Sequence, residues 1–448
     1  MENVNGERYD WRRTRKPERP YIHEYHTTLV DKILNCTKPD PTTGAPSRVY
    51  ATFEDALERI RKIDNLTRGI PKIMYLVGWQ HEGHDSKYPD MSEVNGLLQR
   101  PGDATAADSL HWLMAESFRF NTTVSLHINM NDAYENSPLW DEYESAGLIC
   151  AEGSMWDGEQ SHLIDSAKEW DAGLSARRID DLLDLLPIER ASTIHIDAFW
   201  PGSQDKAAQV AAMRKIIRYW RNRGVDVTTE ALLSHTGFDN GLIGLSPMAW
   251  HIAHEGWGCD DEFTEEQYMD IPASLFCPTR DHSPRGLVFG AGMQGEGIRD
   301  DALGGYLEPF CLDALPWQFL NRHDRIEYGR EGDIGELRLS DGVISRADFA
   351  KGTSTITKGE VTIRDGGDVF VPALWRDERE IIAFSQSGYA ARRWTLPPDW
   401  DDVGRVSVST ITADGLTGTR GIPVADGSVE LTLSPGEAVS IQPAGADA

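Results

Sequence analysis

The stretch that decides the fold is residues 192–232, STIHIDAFWPGSQDKAAQVAAMRKIIRYWRNRGVDVTTEAL. Its first part, residues 193–200, is rich in β-branched and aromatic residues and predicts a strand, which a Pro-Gly-Ser sequence ends. Apolar residues then recur every three to four positions over residues 204–223, which is typical of a helix, and residues 225–230 predict a second strand. A strand–helix–strand unit of this kind places its two strands parallel to each other in one sheet.

Each of these two strands ends in a carboxylate, Asp197 in the first and Glu230 in the second. Because parallel α/β folds place their chemistry at the carboxyl ends of the strands, we expect the two acids to face each other there. Glycoside hydrolysis needs such a pair: one carboxylate attacks or stabilises the oxocarbenium-like centre, and the other protonates the leaving oxygen. The pattern alone leaves open that one acid is a buried structural partner and the other a solvated charge.

The composition limits the class of protein. With 448 residues the chain has room for a large barrel and a smaller domain, and its net charge of −28 argues against nucleic acid or an anionic membrane as a partner. No apolar run approaches the roughly 20 residues of a membrane span, and the polar N-terminus predicts a cytoplasmic protein. The five cysteines never form a CxxC pair, so we expect neither a disulfide framework nor a thiolate zinc site. We expect a carbohydrate partner and no cofactor. The composition is also compatible with a homo-oligomer.

The order of the predicted elements divides the chain into three parts. Residues 1–50 show no periodic segment, so we expect an extended N-terminal arm. Strands and helices then alternate, which predicts an α/β fold with a catalytic (β/α)8-type barrel over residues 51–326. From residue 327 the pattern changes to short alternating strands separated by turns, which predicts a C-terminal antiparallel β-sandwich over residues 327–448.

Polar side chains crowd the loops that follow the first two predicted strands. Gln80, His84 and Asp85 come after the strand at residues 73–77, and His127 and Asn129 lie on one side of the next strand by its period of two. Histidine and carboxylate groups bind vicinal hydroxyls well, so we interpret these residues as sugar-binding candidates. A satisfied core histidine is the alternative for His127.

Four later residues complete the candidate set. They are Trp156 and Asp165, in the segment before residue 193, and Trp200 and Trp250, in later strand-end loops. Sugars stack on aromatic faces, although core packing is the alternative for each single tryptophan. Their shared position in strand-end loops favours binding.

Several segments resemble the endo-α-N-acetylgalactosaminidases, glycoside hydrolase family 101. In the same order along about residues 70–440 the resemblance is carried by 75–90 (YLVGWQHEGHDSKYPD), 127–129 (HIN), 164–165 (ID), 315–320 (LPWQFL), 369–372 (VFVP) and 394–400 (WTLPPDW). The resemblance implies a retaining α-glycosidase with an aspartate nucleophile on one strand and a glutamate acid/base on the next. These roles fall on Asp197 and Glu230, and Trp156 matches one member of a tryptophan pair over the sugar. The related family 129 trims single α-linked N-acetylgalactosamine units inside cells.

Four hypotheses follow. The first is a retaining glycoside hydrolase that removes α-linked galacto-configured sugars (N-acetylgalactosamine or galactose) from small glycosides or glycopeptides. The second is the endo activity, which releases the disaccharide Galβ1,3GalNAc from Ser or Thr. The third is a non-catalytic carbohydrate-binding protein. The fourth is a metal-dependent hydrolase that uses His81, Glu82, His84 and Asp85, whose spacing matches no standard zinc motif; we expect no metal there.

Overall fold

The structure is a computed structural model that describes residues 20–199, 205–231, 245–251, 284–290, 298 and 302–444. In chain order the strands are β1 (Leu29–Leu34), β2 (Cys36–Thr37), β3 (Arg48–Val49), β4 (Lys72–Val77), β5 (Thr122–Asn129), β6 (Asp132–Ala133), β7 (Ile149–Trp156), β8 (Glu159–Ile164), β9 (Thr193–Asp197), β10 (Asp226–Ala231), β11 (Ala249–His251), β12 (Arg325–Glu331), β13 (Ile334–Leu339), β14 (Val343–Asp348), β15 (Thr353–Lys358), β16 (Val361–Asp365), β17 (Asp368–Pro372), β18 (Ile381–Ser385), β19 (Tyr389–Thr395), β20 (Arg405–Thr412), β21 (Gly415–Pro423), β22 (Ser428–Leu433) and β23 (Glu437–Pro443). The α-helices are α1 (Phe53–Thr67), α2 (Ala106–Glu116), α3 (Trp140–Ser145), α4 (Ser166–Asp171), α5 (Leu174–Leu185), α6 (Ile188–Ala191), α7 (Lys206–Asn222), α8 (Pro284–Phe289), α9 (Leu307–Pro309) and α10 (Leu315–Leu320).

A parallel sheet forms the centre of the N-terminal part. Its strand order is β1-β4-β5-β9-β10-β11, and every neighbouring pair is parallel. The strand–helix–strand unit expected from residues 192–232 is present as β9, α7 and β10, so that prediction is confirmed. Ile298 adds a parallel bridge to Ile33 on the other side of β1.

The N-terminal segment differs from the expected arm. Residues 29–34 form β1, every residue of β1 is buried, and the strand pairs with β4 over its whole length. Two charged residues, Asp31 and Lys32, interrupt the apolar run LVDKIL, so the sequence of this segment lacks the alternation or continuous apolar run that is typical of a strand. The expectation of a segment without regular structure is therefore wrong for these residues.

Both faces of the parallel sheet are covered, as parallel sheets require. On one side Val30, Ile73 and Tyr75 pack with Met248 and Trp317 in a small apolar cluster. On the other side, the alternate residues of the strands pack against the apolar faces of the helices in a larger cluster. Among the described residues no helix is long and apolar enough to cross a membrane.

The C-terminal part is a ten-stranded antiparallel sheet with a second, two-stranded layer. The long sheet has the order β12-β13-β14-β15-β16-β17-β18-β23-β20-β21, and β19 pairs with β22 in the second layer. The two layers share an apolar core, in which Phe370 and Trp394 stack with ring centroids 5.0 Å apart. The short alternating strands that the sequence predicted after residue 327 are confirmed.

A buried carboxylate joins the two parts of the molecule. The side chain of Glu380, which is 0% exposed, pairs with Arg68 at the end of α1 and with Arg376, at N–O distances of 2.6 and 2.7 Å. It also accepts a hydrogen bond from the Ser440 hydroxyl at 2.6 Å. Because Arg68 belongs to the α/β part and Ser440 to β23, this one carboxylate links the end of α1 to the C-terminal sheet.

Glu380→Ala should lower the free energy of unfolding by about 3 kcal/mol, the lower end of the range for a broken buried pair, because it leaves the partly buried guanidinium groups of Arg68 and Arg376 without their counter-charge. Glu378 is the matched control, since it pairs with the same Arg376 at 3.3 Å but is 74% exposed. Glu378→Ala should change the free energy of unfolding by no more than about 1 kcal/mol. Urea denaturation measures both variants, and equal losses would contradict this account.

Candidate active site

The parallel register brings the two candidate catalytic acids together. β9 and β10 pair with His195 opposite Thr228 and Ile196 opposite Thr229, so that the next pair along the strands is Asp197 and Glu230. The backbone N–H of Ala198 donates a hydrogen bond to Glu230 Oε2 at 3.0 Å. The two acids therefore sit at matched positions on neighbouring strands.

Ala198 reaches Glu230 through an unusual backbone conformation. Its φ is 46°, in the left-handed region that residues with a Cβ rarely adopt. This turn ends β9 directly after Asp197 and directs the N–H of Ala198 towards the neighbouring strand. Strained backbone of this kind occurs most often at functional sites.

The surroundings drive the two acids to opposite protonation states. Burial, and then the charge of Asp197, raise the pKa of Glu230 to about 9. Burial alone would raise the pKa of Asp197 too, but His127, by charge and hydrogen bonding, and then Lys32 hold that pKa well below its ordinary value. At neutral pH the pair is thus one carboxylic acid beside one carboxylate, the division of roles that acid catalysis with a nucleophile needs.

His127 lies directly against Asp197. Its Nε2 is 3.2 Å from Asp197 Oδ2, and it projects from β5, where it pairs in register with His195 of β9. Burial lowers the pKa of His127, while the charge of the nearby Asp197 acts in the opposite direction. From this position the imidazole stabilises the Asp197 carboxylate and lowers its pKa.

A column of rings runs through this part of the sheet. Tyr75, His195, His127 and His84 follow one another with ring centroids 5.3 to 5.4 Å apart. Trp156 ends the column, 6.3 Å from His84. Hydrogen bonds fix its buried end, where the Tyr75 hydroxyl meets Thr193 Oγ1 at 2.7 Å.

The loop after β4 supplies three of the predicted binding residues. Burial lowers the pKa of His84 to about 4, and burial followed by the charge of Asp197 raises the pKa of Asp85 to about 7. Gln80 is buried, and neither polar atom of its side chain has a hydrogen-bond partner among the described residues. Buried polar groups without partners are costly in a closed structure, and a sugar hydroxyl would satisfy them.

Trp156 is the aromatic residue that the structure places beside these groups. It ends β7, the first strand of an antiparallel hairpin with β8, and its side chain is 49% exposed. The ring meets His84 edge-on, with an interplanar angle of 77°. A half-exposed ring next to buried polar groups is suited to stacking on the apolar face of a sugar.

Two predicted binding residues have their side chains engaged elsewhere. Asn129 closes a turn: its Oδ1 accepts from the backbone N–H groups of Asn131 and Asp132, and its Nδ2 donates to Asp132 Oδ2 at 2.7 Å. Asp165 is the N-cap of α4 and also accepts a hydrogen bond from Gln209 at 2.7 Å. The polar atoms of both side chains are therefore already hydrogen-bonded within the protein, without a sugar.

The structure tests neither of the two remaining tryptophan predictions. Trp200 is outside the described residues. Trp250 lies within β11, but its side chain is outside the described part.

The four residues considered as metal ligands do not converge. His81 turns to Asp90 at 3.1 Å, and Glu82 accepts hydrogen bonds from Ser86 and Lys87. The described residues instead place donor atoms of His84, His127 and Asp197 within 4.8 Å of one another.

Lys32 is a residue of the site that the sequence analysis missed. It is buried on β1, and its positive charge lowers the pKa of both Asp197 and Glu230, although burial and His127 act more strongly on Asp197. The signal was present in the sequence, as a lysine in the middle of an apolar strand. Lysine is seldom buried without a partner of opposite charge, so its position indicates a functional or structural ion pair.

Comparison with known proteins agrees with this site. The sequence model of the endo-alpha-N-acetylgalactosaminidase family matches residues 44–242, which include both acids. Among solved structures, the ligand-free alpha-N-acetylgalactosaminidase NagBb from Bifidobacterium bifidum is similar with a TM-score of 0.56 and 13% identity, over 74% of this chain and 58% of that one. Its complexes with Gal-NHAc-DNJ and with GalNAc give TM-scores of 0.54 and 0.53 at 14% and 12% identity, each over 75% of this chain and 58% of that one. No curated protein matches the chain.

The fold resembles that of glycoside hydrolases, and the paired carboxyl groups are of the kind that glycoside hydrolysis uses. The resemblance to family 101 that the sequence motifs indicated is confirmed over residues 44–242. The chain spans 58% of the length of the NagBb structures that it matches, and at this identity their likeness concerns the fold.

Glu230→Gln should stabilise the fold, and more strongly at higher pH. The folded-state pKa of Glu230, about 9, lies above the ordinary value of 4.5. The wild-type protein therefore loses stability as the pH rises from 4.5 towards 9, because the unfolded chain ionises first. Glutamine keeps the neutral shape and removes this dependence.

Thermal unfolding at about pH 5 and about pH 8.5 measures the effect, and the gain in Tm should be larger at the higher pH. Glu93→Gln is the control, since the side chain of Glu93 is 70% exposed. An equal gain at both pH values would contradict the raised pKa of Glu230.

Proposed function

We propose that this protein is a retaining α-glycosidase that removes galacto-configured sugars, N-acetylgalactosamine or galactose, from small glycosides or glycopeptides. One observation carries the proposal: Asp197 and Glu230 occupy matched positions on neighbouring parallel strands and hold opposite protonation states. Neighbouring strands are about 4.8 Å apart. Side chains at matched positions on neighbouring strands lie close together, and Glu230 interacts directly with the side chain of Asp197. Such a close pair is typical of retaining enzymes, whose carboxyl groups are about 5–5.5 Å apart, and not of inverting ones, where they are about 6.5–9.5 Å apart.

In the first step the Asp197 carboxylate attacks the anomeric carbon, while the Glu230 carboxylic acid gives its proton to the leaving oxygen. His127 and Lys32 keep Asp197 ionised for this attack. In the second step Glu230, now a carboxylate, removes a proton from water, which attacks the glycosyl–Asp197 ester and returns the carboxylate. The N–H of Ala198 donates to Glu230 and stabilises the charge that it carries between the two steps.

The sugar site lies between the loop after β4 and the hairpin formed by β7 and β8. Gln80, His84 and Asp85 offer hydrogen bonds from one side, and Trp156 offers a ring face at the rim. The names of the similar proteins, which act on or bind N-acetylgalactosamine, favour that sugar here. The endo activity is the alternative within this class, and a sugar-binding protein without catalysis is the alternative outside it.

We also propose that the parallel sheet closes into a (β/α)8-type barrel. The strand order runs from β1 to β11, and β1 also pairs on its other side, through the parallel bridge between Ile33 and Ile298. We propose further that the barrel ends and the sandwich begins at about residue 327. A cytoplasmic location and the formation of a homo-oligomer are also proposals.

Hydrolysis of a panel of p-nitrophenyl glycosides, with the released anomer followed by NMR, tests the function. The panel contains α-GalNAc, α-Gal, α-Glc and the α-linked disaccharide Galβ1,3GalNAc. Turnover of α-GalNAc or α-Gal with retention of configuration is expected. Release of the intact disaccharide alone would establish the endo alternative, and binding without turnover would establish the sugar-binding protein.

Asp197→Asn should abolish turnover, by about 10⁴-fold or more, because the amide cannot form the glycosyl–enzyme ester. Asp132→Asn is a matched control, since Asp132 is a neighbouring half-buried acid whose Oδ2 accepts from Asn129 and lies outside the proposed reaction. Circular dichroism checks the fold of both variants. Full activity in Asp197→Asn would refute the nucleophile role.

Glu230→Gln should slow glycosides with poor leaving groups far more than activated aryl glycosides. The variant lacks the proton that an alkyl oxygen needs on departure, whereas p-nitrophenolate leaves without one. The ratio of kcat/KM for p-nitrophenyl and methyl α-GalNAc should rise by about 10²-fold or more relative to the wild type. Equal losses on both substrates would contradict the acid role.

A second candidate, metal-dependent hydrolysis, is favoured by the close approach of His84, His127 and Asp197. Two neutral imidazoles and one carboxylate are ligands that Zn²⁺ accepts. Prolonged dialysis of the active protein against EDTA distinguishes metal-dependent hydrolysis from the reaction of the two carboxyl groups. Unchanged activity supports the carboxylate pair, and a loss that Zn²⁺ alone restores supports the metal.

A further inference from the structure

Lys38 is a buried lysine close to the candidate site that no step of the proposed reaction uses. It follows β2, and only 2% of its side chain is exposed. A buried ammonium group is stable only where its charge and its donors are satisfied. The partners that satisfy Lys38 come from three separate segments.

Each partner belongs to a different segment of the chain. The ammonium Nζ donates to the backbone carbonyl of Asp85 at 3.2 Å and to Glu159 Oε2 at 2.8 Å, and it lies 4.1 Å from the centroid of the Tyr134 ring. Asp85 lies in the loop after β4, Tyr134 follows β6, and Glu159 is the first residue of β8. One cation thus joins the polar side of the sugar site to the hairpin that carries Trp156.

Backbone contacts of the same segment support this arrangement. The His84 N–H donates to the Cys36 carbonyl at 2.9 Å, and Thr37 forms a parallel bridge with His84. A Cβ on Gly83 would lie 2.4 Å from the Thr37 carbonyl carbon, so the two chains approach as closely as glycine allows. The loop of His84 and Asp85 is therefore built directly on residues 36–38.

The hairpin is anchored to the same region. Asn136 Nδ2 donates to the second carboxylate oxygen of Glu159 at 2.6 Å, and Thr42 Oγ1 donates to the Gly158 carbonyl at 3.2 Å. Glu159 pairs across the hairpin with Trp156 itself. A shift of Glu159 would therefore move the tryptophan relative to His84.

We propose that Lys38 is a positioning residue: it holds the hairpin of Trp156 in a fixed place relative to His84 and Asp85, and so sets the width of the sugar-binding cleft. This inference rests on the proposed function for the identity of the ligand. The ammonium group of Lys38 contacts Asp85, Glu159 and Tyr134 and neither of the two candidate catalytic acids, so its effect falls on binding and not on the chemical step.

Lys38→Met, which keeps the length of the side chain but not its charge, tests the proposal. With p-nitrophenyl α-GalNAc the KM should rise about tenfold or more while kcat stays within about threefold, and the pH profile of kcat should keep its shape. Lys38→Arg should recover part of the loss, because it restores the cation. Lys351→Met is the control, since Lys351 makes an exposed ion pair with Asp348 in the C-terminal sheet.

A double-mutant cycle shows whether Lys38 acts through the tryptophan. Trp156→Ala should raise KM by itself, and adding Lys38→Met should then raise it by much less than in the wild-type background. Independent effects of the two substitutions, an unchanged KM in Lys38→Met, or a fall in kcat at constant KM would each overturn the proposal.

Hydrogen–deuterium exchange separates this proposal from the proposed function, because it needs no turnover. In Lys38→Met, amides of residues 83–86 and 149–164 should exchange faster, while those of the C-terminal sheet should not change. If the wild-type protein hydrolyses no glycoside of the panel, the function fails and exchange still decides the role of Lys38. Unchanged exchange in an active enzyme would overturn the role of Lys38 alone.

Discussion

The pairing of β9 with β10 is the constraint on which the site depends. It forces two carboxyl groups to matched positions, where both cannot carry a charge at low cost. The surroundings resolve this conflict asymmetrically, because His127 faces Asp197 while burial and Asp197 itself keep the proton on Glu230. In the proposed reaction the acid and the nucleophile are thus distinguished by their neighbours, since the two groups are chemically alike.

The sequence predicted this central part well because it is encoded locally. Within residues 192–232 the periodicity changes from strand to helix to strand, and the connection rule then fixes the parallel pairing. Asp197 and Glu230 could be placed together from these local signals alone. The C-terminal strands were equally visible, since alternation and Gly-rich turns mark each of them.

The parts that the sequence did not predict depend on contacts between distant residues. β1 contains charged residues, and only pairing with β4 shows that Lys32 is buried there. Asn129 and Asp165 have the residue types of a sugar site, yet a turn and a helix cap use their oxygens. A local pattern cannot distinguish a carboxylate or amide that binds a ligand from one that caps a helix or closes a turn.

The junction at Glu380 has a consequence for how this chain can change in evolution. Besides the Glu380–Arg68 pair, Trp375 Nε1 donates to the Arg68 carbonyl at 3.0 Å, and Asn65 donates to the Ala413 carbonyl at 2.8 Å. The C-terminal sheet thus completes the end of α1, a helix of the α/β part. It is not an accessory module that recombination could exchange freely. Any replacement would have to bring its own acceptors for Arg68 and Asn65.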